Sequence, residues 1–218
     1  MQTAETPVIE LPPNLQTYID NDLPKMHGWL SPKKVSEIAK VVLAEKAKTV
    51  VEIGVYAGRN LISQALAMKY LAESGYNGKV IGIDPWSNKA AVDGWSDQNA
   101  DFWSKVDLEQ IMGGCKRTLR LLGLDPWVEI VRATSDDAFE QLKPRNLVID
   151  VLIIDGNHSQ EQSCRDVRNY VPLVRPGGHI FFDDVNWTQT QDAVDLMLKW
   201  CSSLGLLDGE MAHFLKPE

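Results

Sequence analysis

The stretch IDVLIID, residues 149–155, holds four consecutive apolar side chains between two aspartates. A half-exposed strand alternates apolar and polar residues. An unbroken run belongs to a strand covered on both faces. Such cover comes from helices that link parallel strands. Even when extended to residues 147–155, the run is far too short to span a bilayer.

The rest of the chain repeats this alternation. Strand-like segments fall at 49–54, 79–84, 128–134 and 179–184. Helical patterns lie between them. Ser31 and Pro32 open one as N-cap and first residue, with Val35, Ile38, Val41 and Val42 at helical spacing. Others cover 59–73, 136–142, 158–174 and 189–204, and RPGG at 175–178 is read as a helix stop. A polar, tryptophan-bearing segment at 90–123 leads into a further helix. Asp208-Gly209 between two strand-like pieces signals a hairpin. The expected fold is α/β: a doubly wound, Rossmann-like, mostly parallel sheet with a C-terminal antiparallel hairpin. The 218 residues fit one domain at 26–218 after an irregular, proline-bearing N-terminal arm at 1–25.

TVVEIGVYAGRN, residues 49–60, runs from a strand into a glycine-spaced turn. A triphosphate loop would need G-x-x-x-x-G-K-[ST], which is absent. A dinucleotide turn would need glycines where Tyr56 and Arg59 stand, and a tyrosine blocks the approach of a pyrophosphate. Glu52 beside the turn repels phosphate and suits an ammonium or sulfonium group. Asp84 closes the next strand, where a carboxylate can accept hydrogen bonds from a ribose diol. A ligand with a ribose, an amine and no pyrophosphate is indicated, and S-adenosylmethionine fits. A plain tight turn is the alternative for the glycines alone.

Asp155, Asp183 and Asp184 follow two strands expected to be buried. Ligands bind outside the carboxyl ends of strands in such sheets. If those two strands are neighbours, three carboxylates converge, which is costly unless a cation joins them. Oxygen ligands suit Mg²⁺, Ca²⁺ or Mn²⁺. Each aspartate alone could equally be a helix cap or a solvated loop residue. His158 has the intrinsic pKa of a general base near neutrality, or is a structural histidine at a helix start.

VVEIGVYAGRN resembles the first motif of class I S-adenosylmethionine-dependent methyltransferases, VIGIDPW the second and VRATSDD the third. The pattern D-G-x-H followed one strand later by D-D resembles the metal-dependent, macrocin-O-methyltransferase-like group, some of whose members are labelled cephalosporin hydroxylase. The resemblance implies that Glu52, Gly54, Tyr56, Gly58 and Asn60 surround the methionine part of the cofactor. Asp84 would hold the ribose, with Trp86, Thr134 and Ser135 near the adenine. Asp155 would touch cofactor and metal, Asp183 and Asp184 would complete a Mg²⁺ site, and Asp155 and His158 would be catalytic. The implied reaction is O-methylation of a sugar or another diol. Catechol-type relatives carry a lysine where His158 stands. Residues 26–32 would approach the cofactor, and Trp187 is a candidate substrate wall.

The remaining composition narrows partners. A net charge of −8 argues against nucleic acid or an anionic membrane as partner. Cys115, Cys164 and Cys201 form no CxxC pair and read as reduced thiols of a cytoplasmic protein. The first basic residue is Lys25, so no charged leader is expected. The expected partner is a small hydroxylated substrate, and a homodimer is compatible with all of this. Two rival readings share the fold: an NAD-dependent oxidoreductase and a non-catalytic S-adenosylmethionine-binding domain. An iron hydroxylase would need paired histidines that the four present do not supply.

Overall fold

The computed structural model describes residues 9–218, so the first eight residues of the expected arm lie outside the described residues. Seven strands form one sheet: β1 Thr49–Ile53, β2 Lys79–Ile83, β3 Val128–Val131, β4 Ile149–Ile154, β5 Val174–Phe182, β6 Ser202–Leu207 and β7 Met211–Leu215. Their order is β3-β2-β1-β4-β5-β7-β6. The first five run parallel, and β7 pairs antiparallel with both β5 and β6. This is the doubly wound sheet with a C-terminal hairpin that the alternation predicts.

Period-two alternation sorts the strand side chains between two cores. Val50, Val80, Val151, Ile153 and Phe181 face α1 (Pro13–Thr17), α2 (Pro32–Ala44), α3 (Arg59–Glu73) and α6 (Leu108–Leu121). Val51, Ile53, Ile81, Leu152, Ile154 and Phe182 face α7 (Ser135–Leu142), α8 (Gln160–Tyr170) and α9 (Gln191–Trp200). Two short helices, α4 (Asn88–Ala91) and α5 (Gln98–Lys105), lie between β2 and α6.

Three expectations are corrected. Residues 13–25 are helical rather than irregular, passing from α1 through a π turn to a 3-10 turn. They bury Leu15, Tyr18, Ile19 and Leu23 in the first core, and that apolar burial stabilises helix despite the prolines. RPGG does not lie in a loop: β5 begins at Val174, pairs with Ile149, and resumes register at His179 after an irregularity. The helix expected to reach residue 204 ends at Trp200, because residues 202–207 form the edge strand β6.

Past the ends of four parallel strands the hydrogen-bond ladder continues by one residue. Asp84 donates its amide N–H to Val131, Gly54 to Ile83, Asp155 to Ile53 and Asp183 to Ile154. These four residues therefore stand in one row along the carboxyl edge of the sheet. The strand order reverses between β1 and β4, which is where such sheets open a crevice.

Candidate active site

A cavity of about 860 Å³ opens over that row. Gly54, Tyr56, Asn60, Asp84, Thr134, Ser135, Asp155, His158, Asp183 and Asp184 all line it. Glu52, Gly58 and Trp86 are not among the lining residues and stand behind its wall.

Gly54 is required by the crossing of two backbones. Its φ is +88°, and a Cβ there would come 1.8 Å from the Asp155 carbonyl oxygen. Tyr56 also takes a left-handed φ, +49°, as do Trp86 at +42° and Asp184 at +54°. Non-glycine residues rarely hold this conformation, and it clusters at functional turns.

Glu52 has the same strand parity as Val50, so it points into the layer that holds α3. It is 1 % exposed and accepts from Gln64 Nε2 at 2.9 Å and Asn60 Nδ2 at 3.4 Å. Burial, with the charges of Asp155 and Asp84, pushes its carboxyl well above the usual range. Glu52 thus orients Asn60 rather than facing the cavity. Asn60 Oδ1 is buried and finds no partner among the described residues. A buried acceptor without a donor is rare, and a ligand donor at the cavity wall would satisfy it.

Asp84 takes three backbone N–H groups: Val55 at 3.0 Å and Tyr56 at 2.8 Å on Oδ2, and Trp86 at 2.6 Å on Oδ1. Burial still raises its carboxyl above the ordinary range. A carboxylate offers about four acceptor sites, so little more than one remains for a diol. The Trp86 indole lies behind the turn and donates to the Tyr56 carbonyl at 2.9 Å. Above the turn, Trp29 stacks on Tyr56 with ring centres 5.6 Å apart. Arg59 fixes that segment by donating to the carbonyls of Met26 and Gly28.

Farther along, Thr134 caps α7 by accepting the Asp137 N–H. The Ser135 hydroxyl donates to Asp166 Oδ1 at 2.5 Å, and Gln162 Nε2 donates to both. Burial pushes the Asp166 carboxyl up to about 7.

At the other end the carboxylates meet two basic side chains, His158 and Lys34. His158 Nε2 stands 3.4 Å from Asp155 Oδ1 and 3.4 Å from Asp184 Oδ2. Burial disfavours the charged imidazole, but the hydrogen bond and charge of Asp155 and the charges of Asp184 and Asp183 outweigh it, so its pKa is raised. Burial and the neighbouring Asp183 charge raise the Asp155 carboxyl above the usual carboxylate range. Asp183 is held by Lys34 Nζ at 2.7 Å. The Trp187 ring packs 5.7 Å from His158 and edge-on to Trp95.

The residue pattern did not single out Lys34, Asn157, Gln162, Arg165 or Glu210, all of which line the cavity. The spacing of Gln162 and Arg165 on α8 offered a signal, since positions three apart share a helix face.

Among the described residues, no group of three His, Cys, Asp or Glu side chains is arranged to hold a metal ion. The donor chemistry of Asp155, Asp183 and Asp184 suits a hard cation. Their arrangement does not fit one, because Lys34 engages Asp183 and His158 stands between the other two. Among the described residues, no helix is long and apolar enough to cross a membrane.

A family model described as a methyltransferase domain matches residues 51–185. No curated protein matches the chain. Among solved structures, the O-methyltransferase NovP superposes with a TM-score of 0.66 at 18% identity, covering 88% of this chain and 83% of that one. The O-methyltransferase TomG from Streptomyces achromogenes, solved with SAM, gives 0.64 at 14% identity over 97% and 92%. The O-methyltransferase from Bacillus cereus, solved with SAH, gives 0.59 at 16% over 96% and 94%.

Proposed function

The chain belongs to the methyltransferase-domain family, and from that premise we propose that it transfers the methyl group of S-adenosylmethionine to a hydroxyl of a small molecule. The observation that carries this reading is the position of His158, between two carboxylates in the same cavity that the glycine turn opens into. S-adenosylmethionine, when bound, supplies an electrophilic methyl on a sulfonium.

In this reading Asn60 Oδ1 accepts from the amino-acid end of the cofactor, and Gly54 lets its backbone come close. Asp84 gives its remaining acceptor position to the ribose. Thr134 and Ser135, braced by Asp166 and Gln162, edge the adenine. His158 Nε2 takes the proton of the acceptor hydroxyl, and Asp155 and Asp184 stabilise the imidazolium so formed. Trp187 and Trp95 give the acceptor a flat apolar wall beside the base. O-methyltransferase names among structures of the same fold support a hydroxyl as acceptor.

The finer form, a metal-assisted methylation of a sugar or diol as in the macrocin-like group, would use Asp155, Asp183 and Asp184 on Mg²⁺. The ion pairs that already engage these carboxylates do not favour it. We read residues 26–218, with the helical segment 13–25 packed into their first core, as the catalytic domain, and the three free, buried cysteines as those of a cytoplasmic protein.

The test is a methyl-transfer assay on a panel of sugars, diols and catechols with wild type and His158→Ala. The variant should lose on the order of a hundredfold in turnover or more, with cofactor affinity kept. Unchanged turnover removes His158 from the base role.

A further inference from the structure

We propose that the Lys34 ammonium is the resident counterion of the acidic cluster, so that a divalent cation reaches Asp155, Asp183 and Asp184 only by displacing Lys34. This concerns how the proposed methyl-transfer site balances its charge, and it rests on that reading for its catalytic meaning.

Lys34 sits in the first turn of α2 and is 2 % exposed. Lysine is almost never buried unless paired. Its Nζ donates to Asp183 Oδ1 at 2.7 Å and to Glu210 Oε2 at 2.9 Å. Asp183 is itself buried, whereas the Glu210 side chain is 48% exposed. Lys34 therefore joins the core carboxylate to the cavity rim.

Its position is enforced by the hairpin. The Ser31 hydroxyl donates to Asp208, and Lys33 pairs with Asp208 at 3.1 Å. With the Lys34–Glu210 bond, three contacts tie the start of α2 to the β6–β7 turn. The helix cannot swing the ammonium away without breaking them. Removing one partner of a buried pair leaves the other charge uncompensated, so Asp183 holds Lys34 strongly.

An ammonium and a divalent ion repel, and both would need the same Asp183 carboxylate. The His158 imidazole stands between Asp155 and Asp184, 3.4 Å from each. Lys34 thus brings a positive charge from within the chain to the cluster. Lys34 acts through Asp183 and is a positioning residue.

The test is a titration of Mn²⁺ into the full-length chain, read by electron paramagnetic resonance of the free ion. Wild type, Lys34→Arg and Lys34→Met are compared. Wild type and Lys34→Arg should bind weakly. Lys34→Met should bind one equivalent at least about tenfold more tightly. A purely structural role would leave affinity unchanged or lower it. Equal affinity in wild type and Lys34→Met, or tight binding of one equivalent by wild type, overturns the proposal. If Lys34→Met does not fold, the wild-type titration decides alone: weak binding supports the proposal and a tight equivalent overturns it. S-adenosylhomocysteine binding on the same samples tests the functional reading separately, since Mn²⁺ reports on the carboxylates whether or not a methyl is transferred.

Discussion

Asn157 Oδ1 accepts the Trp95 indole N–H at 3.0 Å. The same oxygen accepts the Ser159 amide N–H at 2.8 Å, and Nδ2 donates to the carbonyls of Ala90 and Asp93. Two donors and two acceptor positions are all used, the full capacity of an amide. One side chain therefore clasps the segment at 88–97 to the loop that carries His158.

Asn157→Asp should open that clasp. It removes two donors and sets a negative charge against two carbonyls, a loss of about 2–4 kcal/mol locally. Hydrogen exchange at residues 88–97 should quicken, and KM for the acceptor should rise more than kcat falls. Unchanged exchange in that segment would show that Asn157 does not hold it.

Gly54→Ala places a methyl against the Asp155 carbonyl and forces a φ of +88° on an L residue. Both effects act at the point where β1 and β4 part. The variant should lose at least about 3 kcal/mol of stability or fail to fold. A thermal melt within a degree or so of wild type would mean that the two backbones can separate freely.

Asp166 supplies a pH prediction. Burial pushes its carboxyl up to about 7 in the folded chain, from an ordinary value of 3.8. The folded state therefore holds this proton where the unfolded state has lost it. Its contribution to stability is fully present below about pH 4 and is lost as pH rises towards 7. Asp166→Asn cannot ionise. The stability of the variant minus that of wild type should climb between those limits, by a few kcal/mol at most, since each tenfold change in proton affinity corresponds to about 1.4 kcal/mol. Thermal melts across that pH range check this. Parallel pH curves for the two proteins would contradict the buried-acid reading.

The sheet and most of its contents were legible because burial leaves a simple trace in sequence. IDVLIID announced a strand with both faces covered, and neighbouring β4 and β5 bring Asp155 and Asp183 together as that reading required. The misreadings have physical causes. RPGG is a stop signal for a helix, but Pro176, Gly177 and Gly178 here make the irregular start of a strand. At Gly178 a Cβ would come 2.6 Å from Val174 Cγ1, so the glycine serves strand packing. The motif resemblance puts Glu52 at the ligand, yet its parity with Val50 sends it behind the wall. That much could have been read from the period of two. Lys34 could not. It looks like one of the exposed charges of an amphipathic helix, and only the antiparallel insertion of β7 brings Glu210 beside it.

In the proposed reaction this cavity binds an S-adenosyl cofactor next to a base that takes no part in holding it. Calorimetry with S-adenosylhomocysteine tests it most directly, using wild type, Asp84→Ala and His158→Ala, with NAD as the control ligand. Wild type and His158→Ala should each bind one equivalent, Asp84→Ala should bind at least about tenfold more weakly, and NAD should give no heat. Binding of NAD in place of S-adenosylhomocysteine, or of neither, would contradict it.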